Sequence, residues 1–147
     1  MRDTLFQAIL TKLKTLAIFQ GSDGSVRVFD YPETQPGGYP YAVVSSQSLE
    51  SAVLDNKRDT RYYNYLIQIV GEKFGDQGAF TQSNALKAMR VTEDAVLAAF
   101  DADANLGNAS IVMIRPLKSS YGLTDGNTRV ILTLEYQAEI TATISYT

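Results

Sequence analysis

The residues from Thr128 to Ile144 constrain this chain more than any other segment. Val130, Leu132, Leu134, Tyr136, Ala138, Ile140, Ala142 and Ile144 take one set of alternate positions. Arg129, Ile131, Thr133, Glu135, Gln137, Glu139, Thr141 and Thr143 take the other. This period of two, with Ile131 as its exception, predicts a strand buried on one face and solvated on the other. Sixteen extended residues at about 3.3 Å each span roughly 53 Å. A compact chain of this length has a radius of gyration of about 15 Å, or a diameter of roughly 38 Å. The strand must therefore bend, carry bulges, or run out past its own domain. In the last case a neighbouring subunit would cover it. A curved sheet and an intersubunit strand both remain open at this stage.

Upstream segments fill in the order. Residues 3–19 read as a helix, with Leu5, Phe6, Ile9, Leu10, Leu13 and Leu16 inside, Asp3 or Thr4 as cap, and Gly21 ending it. Val26 to Tyr31 reads as a short strand, and the proline-rich stretch Pro32 to Pro40 as a loop. Tyr41 to Gln47 and Tyr62 to Lys73 are the next strands, and Tyr63, Tyr65, Ile67 and Ile69 give the latter an apolar face. Between them Ser48 to Arg61 reads as a polar connection, a projecting hairpin arm longer than ordinary hairpin loops. A second helix, capped at Ser83 or Asn84, runs to about Asp101 and buries Leu86, Met89, Ala95, Val96, Ala99 and Phe100. Val91 and Thr92 weaken that pattern, so two helices divided near Thr92 are equally admissible, with Glu93 and Asp94 then in a first turn. Ala109 to Leu117 is a strand, and Ser119 to Asn127 a polar connection. The expected fold is a single α+β domain over residues 1–147. It has a mixed or mainly antiparallel sheet of about five strands, two helices on one face, and the arm at about 48–61.

Composition removes several kinds of chemistry. The chain has no Cys and no His. Thiol nucleophiles, disulfides and histidine-based triads or metal sites are therefore excluded, whereas carboxylate, Lys or Tyr chemistry is not. Hydrophobic residues make up 45% and charged residues 20%, as in soluble globular domains. The net charge of −3 argues against a protein that grips nucleic acid electrostatically. No apolar run approaches the ~20 residues of a membrane span, and the N-terminus lacks a signal-peptide core. No membrane partner and no cofactor are expected.

Candidate sites are few. Asp101, Asp103 and Asn105 have the spacing that starts a calcium loop, but Leu106 stands where Gly is needed and Val112 where Glu is needed. A solvated helix end is the better reading. No phosphate-binding glycine motif occurs. Lys57, Arg58 and Arg61 precede a run of tyrosines, yet Asp55 and Asp59 interleave them, which suits salt-bridged protein contacts better than a nucleic-acid platform. Glu135 and Glu139, separated by Gln137, share the polar face of the last strand. The candidate assembly interface is accordingly Asp55, Asn56, Lys57, Arg58, Asp59 and Arg61 with Glu135, Gln137 and Glu139.

Tyr39-Pro40-Tyr41-Ala42-Val43-Val44, the nearby Glu50, and Asp55 through Ile67 (DNKRDTRYYNYLI) resemble tail terminator proteins of long-tailed bacteriophages. The order of elements and the chain length fit the same family. The resemblance implies a non-enzymatic virion protein at the head-proximal end of the tail, assembled in the host cytoplasm. It implies a homo-oligomeric ring, typically of six, that stops tube polymerisation and docks the head-tail connector or head-completion protein. Its partners would be itself, the tail tube protein and that connector, with DNA passing transiently through the lumen. The competing classes are another neck or tail tube subunit, a small-ligand-binding or enzymatic α+β domain, and a monomeric partner-binding module.

Overall fold

The computed structural model describes residues 2–33, 36–53, 58–75, 80–103, 105–107 and 111–143. Helix α1 (Arg2–Lys14) and a 3-10 turn (Ala17–Phe19) lead to β1 (Val28–Phe29), β2 (Tyr41–Val53) and β3 (Arg58–Val70). Helix α2 (Gln82–Asp101) then precedes β4 (Ile111–Thr124) and β5 (Arg129–Thr143). The sheet order is β1-β2-β3-β5-β4. The short β1 joins β2 in parallel, and every other neighbouring pair is antiparallel. This is the expected α+β architecture with a five-stranded mixed sheet and two helices.

The predicted alternation in β5 holds from Val130 to Ile140, where every second side chain is buried. Register puts Tyr63, Tyr65, Ile67 and Ile69 of β3 beside Ala138, Tyr136, Leu134 and Leu132 of β5. All eight are buried, so one continuous apolar face spans the central strands. Both helices lie against it. From α1, Leu5, Ile9 and Leu13 are fully buried, and Phe6 stacks on Tyr65 at 6.2 Å between ring centroids. From α2, Ala85, Met89, Thr92, Val96 and Phe100 face inward, and Phe100 packs on Tyr136 at 4.7 Å. Each fully buried Leu, Ile or Phe contributes about 1.5–3 kcal/mol, so these two stripes hold the helices on the sheet.

Several boundaries differ from expectation. Helix α1 stops at Lys14, not at Gly21. The Thr15 hydroxyl donates to Lys12 O (2.6 Å) and the Gln20 side-chain amide to Lys14 O (2.9 Å), so side chains take up the last carbonyls before any glycine is reached. Asp3 and Thr4, read as caps, lie within the first turn. Helix α2 is one helix capped by Thr81, whose hydroxyl accepts from Asn84 N. Thr92 fits its interior because the hydroxyl bonds back to Ala88 O at 3.1 Å.

The first strand shrinks to Val28–Phe29, while β2 and β3 are displaced into the segment read as a long connection. Their ladder runs from Tyr41↔Val70 to Val53↔Asp59, with a bulge between Ser46 and Leu49. Polar residues do not prevent a ladder, because a solvated strand still satisfies its backbone groups by pairing. β5 flanks β3 as far as Arg58↔Thr143, so the base of the arm is three-stranded. Likewise β4 continues through Ser119–Thr124, and the connection to β5 contracts to the four-residue turn 125–128, led by Asp125, Gly126 and Asn127. These three residues have φ between 57° and 67°, the left-handed region that Gly, Asn and Asp tolerate best. Ile144 lies outside the described residues.

The Tyr136 hydroxyl is buried and, among the described residues, has no hydrogen-bond partner. Burial pushes its phenol well above the ordinary tyrosine range. An unsatisfied buried polar group costs about 1–3 kcal/mol. Tyr136→Phe is therefore expected to keep or raise stability in urea denaturation, whereas Phe100→Ala should lose about 3–5 kcal/mol. A Tyr136→Phe protein less stable than the parent would show that the hydroxyl makes a stabilising contact.

Candidate functional site

With both helices on one side, the other face of the sheet is left without a helical layer. Tyr62, Asn64, Leu66 and Gln68 of β3 lie there, register-matched to Glu139, Gln137, Glu135 and Thr133 of β5. Across β5 stand Met113, Arg115, Lys118 and Ser120 of β4. Most of these side chains are half-buried or exposed, but Gln137 is only 8% exposed. Its amide nitrogen donates to Asn64 Oδ1 at 3.1 Å, and its oxygen accepts from Arg115 Nη2 at 2.8 Å. The result is a polar tie across three strands. It explains how an amide comes to be buried on the polar face.

Glu135 and Glu139 thus flank a residue whose hydrogen-bonding groups already have partners in its own chain. All three sit on an interior strand, paired on one side with β3 and on the other with β4. Arg61 is matched to Ile140 and therefore projects on the helix side, opposite to Glu139. Arg58 and Asp59 open β3. Asp55, Asn56 and Lys57 fall outside the described residues. Arg61 and the set Glu135, Gln137 and Glu139 are therefore on opposite faces of the sheet.

A second polar contact was not legible in the sequence. Glu93, read as a first-turn acid, lies in the middle of α2 and accepts from Ser119 Oγ (2.9 Å) and the Tyr121 hydroxyl (2.5 Å) on β4. It fastens the helix layer to the far edge of the sheet. Tyr121 is held above its ordinary pKa by partial burial and by this carboxylate. No spacing rule connects residues 93, 119 and 121.

Other clusters serve local structure. Asp103 pairs with Lys12 at 3.5 Å, and Asn105 Oδ1 accepts from Gly107 N, so two side chains of the calcium-like triplet have contacts within the fold. Among the described residues, no group of three or more His, Cys, Asp or Glu could hold a metal ion. An apolar recess of about 100 Å³ between Tyr39, Pro40, Phe80 and Met89 is small for a metabolite. A cleft of about 370 Å³ holds Glu33, Tyr39, Tyr41, Asp125 and Arg129. Arg129 there is already engaged by Asp125 (3.0 Å), by Gly71 O (3.2 Å) and by the Tyr39 ring (3.9 Å). The smaller recess is lined mainly by apolar side chains, and in the larger cleft Arg129 is committed to structural contacts.

No protein-family model matches the chain, and no curated protein matches its sequence. Among solved structures, it is similar to a chain of the virion of a native gene transfer agent (GTA) particle. The TM-score is 0.63 over 94% of this chain and 95% of that one, at 15% identity. At that identity the likeness is one of fold, and it runs through both chains almost end to end.

The polar tie has a measurable consequence. Gln137→Ala removes a partner from Asn64 and Arg115 and should cost about 1–3 kcal/mol. Glu135→Ala and Glu139→Ala should stay within about 0.5 kcal/mol of the parent. Equal losses at all three positions in chemical denaturation would mean that Gln137 has no special role.

Proposed function

We propose that this chain is a structural virion protein, without enzymatic activity, and that it acts as a tail terminator. In this reading identical copies close into a ring, typically six-fold in the family it resembles, at the head-proximal end of a tail tube. The ring stops tube growth, offers its far side to the connector, and lets DNA pass through its lumen. The observation that carries the reading is the end-to-end likeness to a virion chain, joined to the resemblance of the YPYAVV and DNKRDTRYYNYLI segments.

Charge and symmetry fit the same reading. DNA is gripped by lysine and arginine contacts to phosphate, and a chain of net charge −3 offers little net attraction. A closed ring requires a heterologous interface, in which two different patches of one chain meet. In this proposal the three-stranded extension at Leu49–Val53, Arg58–Arg61 and Ile140–Thr143 is the candidate for one such patch.

Measuring the mass of the purified chain in solution, with negative-stain images, tests the proposal. The expected species are monomers at low concentration and closed rings near six-fold at high concentration. Long tubes would assign the chain to the tube subunits instead. A strict monomer whose melting temperature rises with a small ligand would favour a binding domain. Reversing the charges of Lys57 and Arg58 should impair ring formation and leave the melting temperature nearly unchanged. Normal assembly of that variant would remove the arm tip from the interface.

A further inference from the structure

The sheet has two open edges, and they differ. On one side β1 pairs with β2 only at Ala42 and Val43, so from Val44 to Val53 the outer edge of β2 has no strand partner among the described residues. On the other side β4 is the last strand for all of its length. Unpaired backbone groups along such edges are templates for strand addition, and proteins ordinarily blunt them with bulges, proline and lysine.

β4 is blunted over half of its length. Register shifts fall between Ile111 and Met113 and between Pro116 and Lys118, and Pro116 has no N–H to donate. From Lys118 to Thr124 the only such guard is Lys118 itself. These seven residues pair with β5 one for one, from Lys118↔Glu135 to Thr124↔Arg129, and contain no proline. Tyr121 and Leu123 stand exposed along this run (40% and 42%), and Leu117 beside it (48%). A regular, apolar-flanked edge next to a guarded one is the pattern of a strand that admits a partner in one register only.

Strand direction identifies the partner. β2 and β5 run one way, and β3 and β4 the other. Copies related by rotation about a ring axis keep their strand directions. The β2 of the next copy therefore arrives antiparallel to β4, and the alternation of the sheet continues across the junction. Across the sheet Ser120 lies level with Val43, through Thr133 and Gln68. Since β1 occupies Ala42 and Val43, the incoming β2 must be displaced along its length to present Val44–Val53. A stagger between successive strands is also what tilts them to the axis of a closed ring.

We infer that the outer edge of β4 at Lys118–Thr124 binds the outer edge of β2 at Val44–Val53 of a second copy of this chain, by antiparallel strand addition. The inference rests on the ring reading and specifies its interface. It replaces β5, whose backbone is consumed on both sides, with the two strands whose edges remain open.

The absence of cysteine makes the test clean. Ser120→Cys in β4 is combined in turn with Ser45→Cys, Ser48→Cys, Glu50→Cys and Ala52→Cys in β2, positions whose register puts them on the same face of the sheet as Ser120, and each assembled protein is oxidised and run on non-reducing gels. The expected result is a ladder of covalent oligomers from at least one pair, strongest with position 48 or 50, and none from any single-cysteine variant. Rings by mass and microscopy with no ladder from any of the four pairs would overturn the edge interface and leave the ring reading standing. Covalent dimers from Ser120→Cys alone would indicate two-fold β4–β4 pairing and overturn the inference. No oligomer at any concentration would overturn the ring reading itself.

Discussion

Strand β5 is hydrogen-bonded along both edges and buried on every second residue from Val130 to Ile140. The other elements depend on that double commitment. Its apolar face, joined in register to that of β3, is the floor on which both helices rest. Its polar face carries the tie through Gln137 that links β3 to β4. A one-residue slip of β5 would put Leu132, Leu134 and Tyr136 in water and Glu135 and Glu139 under the helices. Register is therefore fixed by burial on one side and by a buried amide on the other.

That commitment explains which parts of the fold could be read from sequence. The alternation of β5 and the Tyr63–Ile69 face of β3 are direct imprints of period-two burial, and both were legible. The inward face of α2 was partly legible, through Met89, Val96 and Phe100. Thr92 obscured it, because a side chain that bonds its own helix backbone looks polar in a string of letters. Strand ends were poorly legible for a related reason. Ser119–Thr124 and Ser48–Val53 carry polar side chains on an extended backbone, and what holds them in strands is a ladder to residues far away in sequence.

The candidate site was legible in outline and not in arrangement. The sequence placed Glu135, Gln137 and Glu139 on one face, and register agrees. It could not show that Gln137 is buried between Asn64 and Arg115, nor that Arg61 projects from the opposite face to Glu139. Contacts such as Glu93 with Ser119 and Tyr121 join residues across a helix and an edge strand, with no local spacing to betray them.

The length of β5 raised a choice between a curved sheet and a strand that leaves its domain. The observed strand still spans roughly 50 Å if fully extended. It runs beside β3 through thirteen consecutive pairs, Arg58↔Thr143 to Val70↔Ile131, without a shift. The register shifts all lie in the flanking strands, one in β2 and two in β4. Bulges bend a strand and increase its twist, so an unbroken central pair between bulged neighbours favours a curved sheet. At its far end β5 stays paired with β3, Thr141 beside Thr60, and Thr60 is still buried. Curvature thus accommodates the strand, whose far end runs on beside β3 and β2. That bent sheet leaves its outer edges, at β4 and at β2 beyond Val43, without strand partners among the described residues, and those edges are the backbone groups that the proposed ring contact would engage.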